Sequence, residues 1–156
     1  MNLQQFQQSL RNAAEAVRDE APNIVRRAGM DALAVVERRI KEKGIEGERY
    51  KSKGKAAYFQ GGKGTGAFKN YATHGKVDLT LTNRMWNGTA VLGVVQLREN
   101  VFQAQIGGTD AEVDAKIIAN VKRFGNFLEP NEQETAEIQE DMQAEVLDVI
   151  RRYIDR

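Results

Sequence analysis

The stretch from Gly44 to Lys76 has neither a helical nor a strand hydrophobic period and is crowded with glycine, yet it holds Tyr50, Tyr58, Phe59, Phe68 and Tyr71. Long aperiodic insertions are uncommon inside compact domains, and linkers that stay disordered rarely carry so much aromatic surface. The segment is therefore expected to order against a partner. It also divides the chain: helical periodicity precedes it, whereas strands followed by helices come after it. That order of elements points to an α+β fold, with long N- and C-terminal helices packed on a small antiparallel sheet and a long basic Gly/aromatic loop between them.

Before the loop, Leu3, Phe6, Leu10, Ala13 and Val17 recur at spacings of three and four. Pro22 interrupts this pattern and suits the first turn of a second helix, in which Ile24, Ala28, Ala32, Val36 and Ile40 follow at a spacing of four. Two helices, about 2–19 and 22–43, are predicted, the second closed by Gly44. The extended loop then runs over 44–76, and a sheet with a short helix is expected over 77–107. Within that region VDLTLT alternates like a short strand, or Thr82 instead caps a helical turn, NRMWNG, that buries Met85 and Trp86. TAVLGVV and VFQAQI read as a β-hairpin turning at Glu99-Asn100. Thr109 or Asp110 caps a helix of about 110–124 that Gly125 closes, and Pro130-Asn131 opens a last helix of about 131–155. With 156 residues and 41% apolar content, the chain 1–156 is expected to fold as a single domain.

Charge is distributed unevenly. The net charge is +1, but residues 41–76 hold nine basic and three acidic side chains, and 110–156 hold six basic and twelve acidic ones. A basic loop and an acidic C-terminal part suit contact between copies, or contact of the loop with a polyanion. No segment has the run of ~20 apolar residues that crosses a bilayer, so no membrane partner is expected. The N-terminus lacks the pattern of a secretory signal, which points to the cytoplasm as the place of synthesis and assembly.

The catalytic chemistries are poorly supplied. There is no cysteine and a single histidine, His74, so thiolate zinc sites and histidine clusters have no ligands; no metal or cofactor is expected. His74 has only Thr73 and Asp78 near it in sequence, which is too little for a nucleophile and base pair. The glycine-rich run YFQGGKGTGAFKNY departs from a phosphate loop because Gly64, not Ser or Thr, follows Lys63, and no strand leads into it. Asp110, Glu112 and Asp114, and the pair Glu140-Asp141, read as helix-capping and solvating acids. The chain is not expected to be an enzyme. Instead Lys51, Lys53, Lys55, Lys63 and Lys69 interleave with Tyr58, Phe59, Phe68 and Tyr71, a set suited to contacts with neighbouring copies or with the phosphates and bases of a nucleic acid. An alternative on the same residues is a small accessory domain that binds nucleic acid non-specifically.

Three stretches resemble a known family. LTLTNRMWNGTAVL, with Leu81, Thr82, Asn83, Arg84, Met85, Gly88 and Val91, is similar to a segment of the tail-completion or neck proteins of long-tailed double-stranded DNA bacteriophages, also labelled virion-morphogenesis or minor tail proteins. NVKRFGNFLEPNEQE resembles the helix end of that family, where the pair Phe124-Gly125 leads into a final acidic helix. KEKGIEGERYKSKGKAAYF, with Gly44, Gly47 and Tyr50, resembles its variable region after the long helix. The resemblance spans roughly 36 to 155. It implies a structural role in the virion: a ring of copies, often a hexamer, between head connector and tail tube, through which DNA passes. The implied partners are other copies, head-closure and tail-terminator or tail-tube proteins, and genomic DNA contacted non-specifically.

Overall fold

A computed structural model describes residues 2–45, 79 and 84–154. Over these residues the order is α1 (Leu3–Lys43), α2 (Arg84–Gly88), β1 (Thr89–Arg98), β2 (Val101–Gly108), α3 (Ala111–Phe124) and α4 (Glu132–Ile154). The fold is α+β, with long helices at both ends and one antiparallel two-stranded sheet. Most of the loop 44–76 and of the strand expected at VDLTLT lies outside the described residues.

One expectation is corrected. The predicted break at Pro22 does not occur, and α1 runs unbroken for 41 residues with the proline inside it. Pro22 cannot donate to the carbonyl of Arg18, and its ring crowds that turn. The apolar spacing nonetheless passes straight through: Ala13 and Ile24 are buried on either side, and Val17 and Ala21 are half-buried between them. Packing of one continuous face thus outweighs the local cost.

At the start of α1, Asn2 and Gln5 exchange side-chain and backbone hydrogen bonds of 2.9 Å each, and Asn131 and Glu134 do the same at the start of α4. These reciprocal boxes satisfy amides that the first helical turn leaves open. Asp110 caps α3 by accepting from the Val113 amide at 2.9 Å, and Gly125, at φ 77°, closes it with a hydrogen bond of 2.9 Å to the Val121 carbonyl. In the hairpin Asn100 takes the left-handed conformation, φ 57°, which asparagine tolerates better than most residues.

Tertiary contacts group the chain into two compact units. The first comprises Met1–Leu33, Ala90–Ile106 and Pro130–Arg156. Ala13, Ile24 and Val149 are buried there. Gly29 of α1 meets the hairpin so closely that a Cβ at this position would stand 2.8 Å from the Ala104 Cβ and 3.3 Å from Val91. Only glycine lets this helix approach the sheet at that point.

The second unit comprises Ala34–Thr89 and Gly107–Glu129. Its core is Val36, Ile40, Met85, Trp86, Val113, Ile117 and Phe127. The short helix α2 supplies Met85 and Trp86, as expected from the NRMWNG turn. Thr89 donates its hydroxyl to the Met85 carbonyl at 2.6 Å, and the Asn120 amide reaches the Met85 sulfur at 3.4 Å.

Candidate functional site

The nine residues singled out as a contact loop, Lys51, Lys53, Lys55, Tyr58, Phe59, Lys63, Phe68, Lys69 and Tyr71, all lie outside the described residues, as does His74. Of the three stretches carrying the resemblance, 41–59 is described only over 41–45, whereas most of the other two is described. Residues 84–92 of LTLTNRMWNGTAVL form α2 and the opening of β1. Gly88 sits against α3, where an added Cβ would lie 2.4 Å from Val113 Cγ2, and its carbonyl accepts from the Thr109 amide at 2.7 Å.

Arg84 adds an electrostatic link between the same elements. Its Nη2 lies 3.4 Å from Asp110 Oδ2 and 3.0 Å from Glu112 Oε2, and Lys116 Nζ lies 2.7 Å from the other Glu112 oxygen. The hydrogen bond from Lys116, helped by the charge of Arg84, holds the Glu112 carboxyl below its ordinary range. Asp114 accepts from the Gly108 amide at 2.7 Å. Asp110 thus caps α3, as expected, whereas Glu112, read as a solvating acid, is held in ion pairs and Asp114 in a hydrogen bond to the backbone. Among the described residues no group of three or more His, Cys, Asp or Glu side chains is arranged to hold a metal ion.

In the first unit, Arg27 of α1 grips Glu145 of α4 in a fork: Nε donates at 3.0 and 2.9 Å to the two carboxylate oxygens and Nη2 donates at 2.6 Å to one of them. The pair raises the Arg27 pKa further, chiefly through this hydrogen bonding. Periodicity within each helix carries no sign of such a pairing, because the two residues lie on elements distant in the chain.

The exposed apolar surface also exceeds what the helical stripes suggested. Of the N-terminal stripe, Ala13 is buried, but Leu3, Phe6 and Leu10 are 73%, 41% and 43% exposed. Leu10, Ala13 and Val17 line an open groove of about 440 Å³ with Phe102 of β2 and Ile150 of α4. On α4, Leu147 and Tyr153 are exposed, and Leu147 shares a second apolar groove with Gln139, Met142, Gln143 and Val146. The breadth of the α4 stripe was the available signal: it covers more of the helix than one core contact needs.

Among the described residues no helix is long and apolar enough to cross a membrane. Compared with protein-family models, with curated proteins and with solved structures, the chain matches none.

Proposed function

We propose that the chain is a structural component of the neck of a long-tailed double-stranded DNA bacteriophage, acting in head-tail joining or tail completion. Copies form a ring, of hexameric type, between the head connector and the tail tube, and DNA passes through it. The observation that carries the reading is LTLTNRMWNGTAVL, the segment most similar to that family. Its described part is a packing element: Met85 and Trp86 fill a core, Gly88 presses on Val113, and the chain passes directly into β1.

The charge distribution supports the same reading. A 41–76 stretch of +6 and a 110–156 stretch of −6 let one copy meet the next head to tail, and such heterologous contacts close into rings by rotation. Lys51, Lys53, Lys55, Lys63 and Lys69, with Tyr58, Phe59, Phe68 and Tyr71, are the residues offered to a neighbouring subunit or to the DNA channel. Head-closure and tail-terminator or tail-tube proteins are the partners, assembly takes place in the host cytoplasm, and the virion is the final location. Neither catalysis nor a cofactor belongs to this role.

The test is mass spectrometry of purified virions combined with deletion of the gene. The expected result is the protein in wild-type particles, and filled heads separate from finished tails in the deletion. Absence from virions, with normal particles after deletion, overturns the reading. The alternative, non-specific nucleic-acid binding, predicts duplex affinity that falls steeply with salt in the isolated protein.

A further inference from the structure

Helix α4 leaves one face uncovered. It is 23 residues long, and its exposed sector carries Gln139, Gln143 and Leu147, bordered by the half-buried Met142 and Val146. This sector has no charged side chain along its middle, the composition found at the centre of protein interfaces rather than on an ordinary solvated helix face.

Two charges border the sector on one side. Glu140 and Arg151 are both exposed, and neither makes an ion pair or hydrogen bond within the described residues. Arg27, Glu145, Asp148 and Arg152, on the opposite side of α4, are engaged with one another in ion pairs. The spacing from 140 to 151 is about three helical turns, so the two side chains stand in one row, one toward the acidic start of α4 and one toward its basic end.

From this arrangement we infer that α4 docks against α4 of a second copy, antiparallel and about a twofold axis, with Glu140 of each copy facing Arg151 of the other. The axis then falls between Glu145 and Val146, the midpoint of the two charges. Gln143, Val146 and Leu147 flank it and are covered by their counterparts. An antiparallel arrangement also opposes the two helix dipoles, whereas a parallel one would place like charges together. Two helices of this length bury an area at the lower end of specific interfaces, so the dimer is a weak one, with dissociation in the micromolar range. A twofold contact pairs copies and does not close a ring by rotation, so this inference stands apart from the neck reading.

Sedimentation equilibrium of the full chain from about 1 µM to about 1 mM tests it, over the range where contacts of this size dissociate. The expected result is a monomer–dimer equilibrium. Because each substitution acts at both ends of a twofold pair, Glu140→Arg and Arg151→Glu alone should each weaken dimerisation about tenfold. An equimolar mixture of the two variants should restore wild-type affinity as a heterodimer, since every facing pair is then again of opposite sign. Leu147→Lys, at an exposed position one helical turn before Arg151, should weaken the dimer as well. A chain that stays monomeric across the range overturns the inference. So does an oligomer indifferent to Leu147→Lys, or a mixture of folded charge variants that fails to pair.

Discussion

The rings of Trp86 and Phe127 meet edge to face, with centroids 6.2 Å apart and planes at 87°. Both are buried, and they join α2 to the segment that follows α3. Such a pair adds a directional term to the burial of two large side chains. Phe127→Ala should therefore lower stability by about 3–5 kcal/mol, the usual cost of deleting a buried aromatic ring. Trp86 is the only tryptophan, so its emission reports on this unit, and a red shift in the folded variant should accompany the loss. Unchanged emission and denaturant midpoint would reject the assignment.

Gly88 and Val113 should be coupled. Alanine at 88 would place its Cβ 2.4 Å from Val113 Cγ2, so one element must move. Overpacking of this kind costs about 1–3 kcal/mol. Val113→Ala removes the clashing methyl, and the double variant should be less destabilised than the sum of the two single ones in a denaturation cycle. Gly93, with nothing within 4 Å of an added Cβ, is the control at which alanine should be tolerated.

Pro22 offers a gain. With α1 continuous through it, Pro22→Ala restores an amide to the Arg18 carbonyl and removes the ring from the preceding turn. Stability should rise by about 1–3 kcal/mol, readable as a higher denaturant midpoint. A loss of stability would mean that the pyrrolidine ring itself fills a needed contact.

The Arg27–Glu145 fork spans two helices, but its side chains are 51% and 36% exposed. Solvent and salt screen such a pair, so its contribution is small. Glu145→Gln should lower the urea midpoint slightly in low salt and less in high salt.

Glu112 gives a pH signature. Its carboxyl is held below the ordinary range chiefly by the hydrogen bond from Lys116, which outweighs the opposing desolvation and is aided by the charge of Arg84. A lowered folded-state pKa means that the stabilisation is complete above the ordinary carboxylate value and is lost as pH falls through the lowered one. Lys116→Met should move the Glu112 titration up toward the ordinary range in a side-chain NMR experiment. A titration that does not move would show that the ion pair is not held in solution.

Elements with local signals were legible in the sequence. The α3 boundaries were written in Asp110 and Gly125, the hairpin in two β-rich runs around Glu99-Asn100, and the burial of Trp86 in the NRMWNG turn. Pro22 misled because a local breaker was weighed above the longer pattern, in which Val17, Ala21 and Ile24 keep the helical spacing across it. The partners Arg27 and Glu145, and the closeness of Gly29 to Ala104, depend on which helix face meets which element, and no local period encodes that. The contact-loop residues of 51–71 were chosen on charge and aromatic content alone, and they lie outside the described residues.

The allocation of α1 has a consequence for dissecting the chain. Residues up to Leu33 belong to one unit, with nearly all of the hairpin and with α4, and those from Ala34 to the other, with α2 and α3. No single cut of the polypeptide releases an intact unit, since a fragment ending near residue 45 carries part of two cores and completes neither. Both units must close contacts between remote parts of the sequence, which slows folding. Halves of this protein are therefore better suited to complementation, expressed together and regaining structure by association, than to study as autonomous pieces.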